Sequence, residues 1–151
     1  MNYWVNVHDP PYKGESRKDH CKVYLQAKNK QYIKEFNKED FVFIYETEGP
    51  REAKVEGEGG VKILKLAEGK KGIIALVRII SDFIPHQWKW RDISFIGHFD
   101  TEEVNTRRKL IPLQEIRKGG FPFNPRINGG LRKLKDKEFK IMARLVGFRE
   151  D

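Results

Sequence analysis

Short runs of β-branched and aromatic residues, each ended by glycine or proline, constrain the fold of this chain more than any other feature. Residues 41–45 and 73–80 are apolar on both faces, which is typical of central strands. Residues 3–7 form a shorter run that stops before a Pro-Pro pair, because consecutive prolines cannot continue a hydrogen-bonded ladder. Residues 61–66 alternate apolar side chains with lysine, as edge strands do. We therefore expect a chain built mainly from strands.

A few short helices accompany these strands. Residues 29–36 carry apolar side chains on one helical face, residues 112–116 form a helical turn, and residues 135–145 form the last helix. Residues 48–60 hold a proline and four glycines, so we expect a flexible turn there. Together these patterns predict one α+β domain over residues 1–151, a twisted β-barrel of about five to six strands with short flanking helices.

The composition excludes several classes of protein. The chain has 151 residues, enough for one domain with a hydrophobic core, and 12% aromatic residues, which disordered chains do not carry. It contains no apolar run long enough to cross a membrane. A single cysteine, Cys21, excludes an internal disulfide and a cysteine-based zinc cluster. Because residues 1–5 lack the basic and apolar regions of a signal peptide, we expect an intracellular, cytoplasmic protein.

Positive charge is concentrated in the last third of the chain. Residues 105–151 hold 13 Lys and Arg against 5 acidic residues, which is the whole net charge of +8, because residues 1–104 hold 17 of each sign. A one-sided basic surface attracts polyanions, nucleic acid first. A solvated lysine-rich face without a partner is the other interpretation of this charge.

No motif of a common catalytic centre is present. The sequence lacks a nucleophile elbow, a P-loop and a dinucleotide fingerprint, and its four histidines show no metal-ligand spacing. Glu52-Ala53-Lys54 resembles the end of a metal-dependent nuclease site, but it lies in the predicted flexible turn and is common by chance in a chain rich in Lys and Glu. We therefore expect no metal site, no cofactor and no catalytic centre of these kinds.

The aromatic residues indicate what kind of ligand the chain could bind. Trp4, Tyr24, Tyr45, Trp88 and Trp90 lie at predicted strand ends or in loops, whereas core rings are more often in the middle of strands. Rings in such places can stack a flat heterocycle, and stacking one base is worth about 1–3 kcal/mol. Trp4 and Trp90 are also compatible with core positions in which the indole N–H is satisfied at the edge.

Seven segments follow one another in an order known from one protein family. They are YWVNVHDP (3–10), YLQAKNKQ (24–31), DFVFIYET (40–47), GIIALV (72–77), the strand and turn of 90–95 and 113–116, and RING (126–129). In order and spacing they resemble the EVE domain, a branch of the PUA-like superfamily related to YTH domains. The resemblance covers nearly the whole chain and implies a PUA-like barrel of the EVE/YTH type.

The chain departs from the usual EVE pattern at several places. His8 and Asp9 stand where the family usually has Ser and Glu, Val7 replaces a Lys, and Tyr24 replaces a Trp. Residues 48–72 form a longer excursion than is usual. The chemistry of the pocket is therefore expected to differ from that of a typical member.

The resemblance implies recognition of a modified base, methylated or hydroxymethylated, in DNA. In EVE and YTH relatives a flipped or single-stranded base enters an aromatic pocket beside the barrel. EVE modules commonly serve as specificity domains of modification-dependent restriction systems. We therefore expect residues 1–151 to be a single EVE domain, alone or as the N-terminal specificity domain of a larger protein. A nuclease or an NTPase would be its partner domain or subunit.

The resemblance also assigns candidate roles. Tyr24 and Trp88 are expected to stack the base, with Trp90 and Tyr45 as second choices. Candidate polar contacts in the pocket and at its mouth are His8, Asp9, Asn29, Glu46 and Thr47. Candidate phosphate contacts are Arg107, Arg108, Lys109, Arg126, Arg132 and Lys133. Turn formation by the aspartate before Pro10, a helix cap by the asparagine and ordinary surface positions for the basic residues are the competing interpretations.

Two other functions remain open. An RNA-binding PUA or YTH-type reader of methylated adenine would use the same kind of pocket, and the 2′-hydroxyl would decide its preference. A small PUA-like hydrolase of modified nucleosides would need a lysine, a threonine and a glutamate, for which Lys22, Thr47 and Glu46 are the candidates.

Overall fold

The computed structural model of the chain describes residues 1–98, 111–126 and 130–149. The strands in these ranges are β1 (Tyr3–His8), β2 (Val23–Tyr24), β3 (Phe41–Glu46), β4 (Glu52–Gly57), β5 (Gly60–Lys65), β6 (Gly72–Ile79), β7 (Trp90–Arg91), β8 (Ile93–His98), β9 (Ile111–Pro112) and β10 (Leu131–Leu134). The helices are α1 (Arg17–His20), α2 (Leu113–Lys118) and α3 (Asp136–Val146), with 3-10 turns η1 (Ala27–Tyr32) and η2 (Pro85–Gln87).

A six-stranded sheet forms the centre of the molecule. Its order is β10–β1–β3–β6–β8, and β9 pairs with β6. β1 and β3 run parallel, and the other neighbouring pairs are antiparallel. Two smaller ladders accompany the sheet, one between β2 and β7 and one between β4 and β5.

The two faces of the sheet bury two separate hydrophobic clusters, because successive side chains of a strand point to opposite faces. On one face Val5, Phe43 and Tyr45 pack with α2 and α3. On the other face Trp4 and Ile44 pack with residues of β2 and of the segment around η1. The residues of both clusters are nearly all fully buried. This two-sided burial explains why residues 41–45 and 73–80 are apolar on both faces.

The sequence determines the start, the buried face and the end of the last helix, α3. The Lys135 backbone N–H donates to Oε1 of Glu138 at 2.9 Å, which satisfies a free donor at the start of α3. Phe139, Met142 and Val146 recur at helical spacing and face the sheet. The helix ends at Gly147, whose φ of +73° is the left-handed conformation that glycine adopts without strain.

The predicted α+β class with a multi-stranded sheet and few helices agrees with this architecture. In the described parts of the chain, the edge strands β8 and β10 are not paired with each other, so the sheet is not a closed barrel there. The flexible turn expected at residues 48–60 was wrong, because Glu52–Gly57 forms β4 and pairs with β5. The helix expected at residues 29–36 is the shorter turn η1, which is kinked at Asn29.

The structure distinguishes between the two interpretations of Trp4. Trp4 is a core residue: it is fully buried and donates its indole N–H to Oδ2 of Asp40 at 2.9 Å.

No helix in the described ranges has the length and the apolar character that crossing a membrane would require.

Candidate functional site

One face of the sheet changes from apolar to polar along β1. Trp4, Asn6 and His8 share this face because they are two residues apart in the strand. Trp4 is enclosed in the core, whereas His8, at the end of the strand, borders a cleft. The parallel register places Glu46 of β3 beside His8. The polar end of this face is therefore where the chain can hold a ligand.

The cleft has a volume of about 690 Å³, within the ~300–1,000 Å³ typical of small-molecule sites. Its lining comes from the end of β1, from the segment through α1, and from the paired strands β2 and β7. The lining residues are His8, Asp9, Glu15, Asp19, His20, Lys22, Tyr24 and Trp90. Four of them, His8, Asp9, Tyr24 and Trp90, were predicted as pocket residues from the sequence.

Three rings follow one another along the cleft. Tyr24 and Trp90 lie directly opposite each other in the β2–β7 ladder, with ring centroids 5.5 Å apart at 47°. The ring of His8 stacks against Tyr24 at 5.4 Å and 29°. Trp90 is half exposed, and Nζ of Lys22 lies 5.8 Å from the centre of its ring. The cleft therefore offers an open aromatic surface to a flat ligand.

A buried arginine holds this aromatic surface in place. Arg91, which follows Trp90 in β7, is 5% exposed. Its Nη1 donates to the carbonyls of Trp88 and Trp90 at 2.9 Å. Its Nε and Nη2 donate to the carbonyls of Phe36 and Ile33 at 2.7 and 3.0 Å. Burial lowers the pKa of Arg91. The guanidinium thus ties the strand that carries Trp90 to the segment after η1.

His8 is held by a second polar residue on the same strand face. Asn6 donates its Nδ2 to the carbonyl of Gly130 at 2.7 Å and contacts Nε2 of His8 through Oδ1 at 2.8 Å. His8 is 5% exposed. Burial, with a further contribution from nearby His20, lowers the pKa of His8 from 6.5 to about 3. His8 is therefore a neutral polar group at neutral pH.

The side of the cleft formed by α1 and the residues before it is acidic. Asp9, Glu15 and Asp19 contribute carboxylates to the lining, and Lys22 contributes one ammonium group. His20 connects two segments of this side, with Nδ1 3.1 Å from Oε1 of Glu15 and Nε2 3.2 Å from the Asp9 carbonyl oxygen. A phosphate group is therefore disfavoured inside the cleft, whereas a neutral ligand with hydrogen-bond donors is suited to it.

Two predicted stacking residues do not line the cleft. Tyr45 is 1% exposed and packs against Phe123, on the sheet face opposite His8. The reason is strand alternation, because Tyr45 is one residue before Glu46, the β3 partner of His8. Trp88 is half-buried against the cluster of Trp4, where the ammonium groups of neighbouring lysines lie over its ring.

Three predicted polar contacts also lie outside the lining. Glu46 is 1% exposed, and both its carboxylate oxygens accept from Nε of Arg17, at 2.8 and 2.9 Å. Thr47 donates its hydroxyl to Oδ1 of the lining residue Asp9 at 2.9 Å. Asn29 is buried within η1, where its backbone N–H donates to the Gln26 carbonyl.

The predicted phosphate contacts divide into two groups. Arg107, Arg108 and Lys109 lie outside the described residues. Among the others, Arg126 is exposed, whereas Arg132 and Lys133 each pair with a carboxylate. These pairs are Arg132 with Glu138 at 2.6 Å and Lys133 with Glu35 at 3.6 Å.

Sequence reasoning missed three of the eight lining residues, Glu15, Asp19 and His20, and named Lys22 only for the hydrolase alternative. These residues belong to a polar segment in which no helix was expected, but part of it forms α1. A signal for this helix was present, because Ser16 caps it by accepting from the Asp19 backbone N–H. A serine followed three residues later by an acidic residue is the sequence pattern of a helix start.

The structure provides no metal-binding cluster in its described residues: no three His, Cys, Asp or Glu side chains converge there. Glu52 and Lys54 lie on β4 rather than in a loop, and both are exposed. Cys21 is buried, and burial raises its pKa to about 12. It is therefore an unreactive thiol in the folded chain.

Comparison with known proteins indicates the fold rather than the sequence family. No family profile and no curated protein matches the sequence. Protein Atu2648 from Agrobacterium tumefaciens matches in structure, with a TM-score of 0.56 and 11% identity over 100% of this chain and 97% of that chain. Rpa0253 from Rhodopseudomonas palustris matches with a TM-score of 0.55 and 14% identity, over the same shares of the two chains.

A third match is a protein–DNA complex. Human THYN1, solved with DNA that contains 5-methylcytosine, matches with a TM-score of 0.55 and 12% identity over 99% of this chain and 100% of that chain. The chain therefore has the α+β fold of these three proteins, with a multi-stranded sheet and few helices.

Proposed function

We propose that this chain is an EVE-type nucleic-acid-binding module that takes a modified base, methylated or hydroxymethylated, into the cleft between β1, α1 and the β2–β7 ladder. The observation that carries this proposal is the pair of rings, Tyr24 and Trp90, beside the neutral imidazole of His8. Together they combine a stacking surface with a polar group suited to a base edge. The same fold in human THYN1, solved with 5-methylcytosine DNA, supports DNA as the nucleic acid.

The free energy gained by stacking the base is of the same size as the cost of extruding it from the duplex. Extruding a base from a duplex costs a few kcal/mol, and stacking on one ring returns about 1–3 kcal/mol. A methyl group buried against Tyr24 or Trp90 adds roughly 0.8 kcal/mol by area. The modification therefore decides whether the base stays in the cleft, and contacts to the backbone supply the rest of the affinity.

Charge is divided between the cleft and the rest of the chain. The lining holds three carboxylates and one lysine, so the phosphates have to lie outside it. The excess of basic residues is in residues 105–151, which is where we place the backbone contacts, with Arg107, Arg108, Lys109 and Arg126 as candidates. Arg132 and Lys133 can join them by exchanging a carboxylate partner for a phosphate.

The module has no catalytic role in this proposal. The hydrolase alternative needs Lys22, Thr47 and Glu46 around one substrate, but Glu46 is bound to Arg17 and Thr47 is bound to Asp9. Cleavage or translocation of DNA would belong to a partner domain or subunit with nuclease or NTPase activity. The RNA-reader alternative uses the same cleft and is tested together with the DNA proposal.

The test is a titration of fluorescent oligonucleotides with the purified chain. Each strand carries one 5-methylcytosine, 5-hydroxymethylcytosine or N6-methyladenine and has an unmodified control, as duplex DNA, single-stranded DNA and RNA. We expect at least one modified DNA to bind about tenfold more tightly than its control, as one well-filled apolar contact allows. Equal affinity for every modified and unmodified pair would refute the proposal, and discrimination confined to RNA would establish the alternative.

A further inference from the structure

The hydrogen bonds of Asn6 fix the tautomer of His8. The Gly130 carbonyl can only accept, so the amide nitrogen of Asn6 must face it, at 2.7 Å. The Asn6 oxygen then faces Nε2 of His8 at 2.8 Å and requires a proton on that nitrogen. A neutral imidazole has one N–H, so the lone pair remains on Nδ1.

The position of Gly130 is restricted in turn. Its φ of +68° is in the left-handed region, and a Cβ there would lie 3.1 Å from the Val7 carbonyl oxygen. The carbonyl that orients Asn6 therefore belongs to a position at which glycine is strongly favoured. The backbone at Gly130 thus determines, through Asn6, which nitrogen of His8 carries the proton.

Nδ1 of His8, which carries the lone pair, makes no hydrogen bond within the described chain. The fully enclosed side-chain nitrogen and oxygen atoms that lack a partner there are Asn37 Oδ1, Tyr45 Oη and Arg78 Nε. Since Nδ1 is not among these atoms and His8 lines the cleft, the lone pair is accessible from it. The lowered pKa of about 3 keeps this nitrogen an acceptor at neutral pH.

The remaining polar lining is also rich in acceptors. Asp9, Glu15 and Asp19 contribute carboxylate oxygens, which accept and do not donate when ionised. Nδ1 of His20 lies 3.1 Å from Glu15 Oε1 and Nε2 lies 3.2 Å from the Asp9 carbonyl oxygen, so an N–H on either nitrogen is directed at an acceptor of the protein. Lys22 contributes an ammonium donor to the lining, and this group lies over Trp90.

We infer that His8, held by Asn6 as its positioning residue, selects bases that present an amino N–H to the cleft, namely cytosine or adenine derivatives, and disfavours thymine. The inference rests on the proposed function and names its substrate class. In thymine a carbonyl oxygen replaces the amino group of 5-methylcytosine while the methyl group is the same. That oxygen would face the Nδ1 lone pair, and a buried acceptor left without a donor costs binding energy.

The tautomer is tested without any ligand. Long-range proton–nitrogen NMR correlation spectra of the free protein distinguish the two neutral forms of histidine. We expect His8 to carry its proton on Nε2 at pH 7, with an unprotonated Nδ1. A proton on Nδ1, or on both nitrogens, would overturn the inference whatever the protein binds.

Selectivity is tested with bases that differ in the donor alone. Oligonucleotides carrying 5-methylcytosine are compared with thymine at the same position, and N6-methyladenine is compared with N6,N6-dimethyladenine, which lacks the N–H. In the pair that contains the base recognised by the protein, we expect the base with the N–H donor to bind about tenfold more tightly. This is the effect of one lost hydrogen bond in an enclosed site. Preference for modified over unmodified bases without preference for the donor would refute the inference and leave the proposed function standing. No preference in any comparison would refute both.

Two substitutions separate the acceptor from the ring. His8→Phe keeps an aromatic ring without a nitrogen, and we expect it to lose the preference for the donor-bearing base. His8→Asn can place an amide oxygen near the position of Nδ1, and we expect it to regain part of this preference. His86→Phe, at an exposed histidine in η2, is the matched control and should behave as wild type. Unchanged selectivity in a folded His8→Phe protein would contradict the inference.

Discussion

Tyr24 and Trp90 are direct partners in the short β2–β7 ladder, and their ring centroids are 5.5 Å apart at 47°. Two rings at this distance and angle leave no room for a base between them, because a sandwiched base needs about 7 Å between parallel rings, twice the ~3.5 Å contact distance of carbon atoms. A bound base therefore has to stack on the open side of the pair. The ladder fixes both rings at once, so the stacking surface exists before a ligand arrives.

The first prediction separates the two neighbouring tryptophans. Trp90→Ala removes the half-exposed ring of the cleft and should weaken binding of the modified oligonucleotide by about 1–3 kcal/mol, the value of one stacked ring. Trp88→Ala, two residues earlier and outside the lining, should keep the preference for the modified base. Fluorescence anisotropy titrations of both variants check this. Loss of the preference in Trp88→Ala but not in Trp90→Ala would show that the base stacks on Trp88 instead.

A second prediction concerns Arg91. Replacing it with Met leaves the carbonyls of Ile33, Phe36 and Trp88 without their buried donors, so we expect a loss of about 3 kcal/mol in the free energy of unfolding. Urea denaturation measures this loss. Arg126→Met, at an exposed arginine, is the control and should change stability by less than about 0.5 kcal/mol. Equal stability of the two variants would show that the guanidinium is dispensable.

Alternation and helical periodicity were sufficient to predict most of the main sheet and α3. Residues 41–45 and 73–80 were recognised because strands buried on both faces contain almost no polar side chains. Residues 61–66 were recognised as an edge strand by their alternating lysines. Such signals are local, since each depends on residues within one element, and for this reason they can be detected in a single sequence.

The register between strands was not predictable in the same way. Tyr45 and Glu46 are adjacent in sequence, yet one is enclosed against Phe123 and the other is bound to Arg17. Which of them shares the sheet face of His8 depends on pairing with β1, a contact between residues more than 35 positions apart. A strand end identifies two candidate residues, and only the fold decides between their faces.

The lining of the cleft also escaped detection where an element is very short. α1 has four residues and no buried ones, so hydrophobic periodicity cannot reveal it. Strand β4 was missed for another reason, because the glycines at the tip of the β4–β5 hairpin dominated the interpretation of residues 48–60. The alternation of Ala53 and Val55 with charged residues was the signal that the glycines obscured.

A third prediction tests the division between backbone and base contacts. Arg107→Ala combined with Arg108→Ala should weaken binding to modified and unmodified duplexes alike. If both residues contact phosphates, the slope of log K against log salt should become less steep by about 1.8, since each contact contributes roughly 0.9. Lys54→Ala with Lys62→Ala, on the β4–β5 hairpin, is the matched control and should leave the slope unchanged. A loss specific to the modified duplex would mean that the two arginines contact the base.

A fourth prediction uses the buried thiol. Burial raises the pKa of Cys21 from 9.0 to about 12, so the folded protein holds this proton more tightly than the unfolded chain. Stability should therefore fall as the pH rises from about 9 toward 12. Cys21→Ala removes this contribution, and its stability relative to wild type should improve between pH 7 and pH 10. Urea denaturation at both values measures the difference, and a difference independent of pH would contradict the buried thiol.

The fifth prediction is the acid counterpart, at His8. Its pKa falls from 6.5 to about 3 on folding, so below pH 6.5 the unfolded chain binds a proton that the folded chain does not. Wild type should therefore lose stability relative to His8→Gln by up to about 1.4 kcal/mol per pH unit as the pH falls from 6.5 toward 3. The surrounding ionisable groups of His20, Tyr24, Asp9 and Glu46 are present in both proteins, so the comparison isolates His8. Denaturation curves at pH 7, 5 and 4 provide the measurement, and parallel losses in the two proteins would show that His8 is protonated in the folded state.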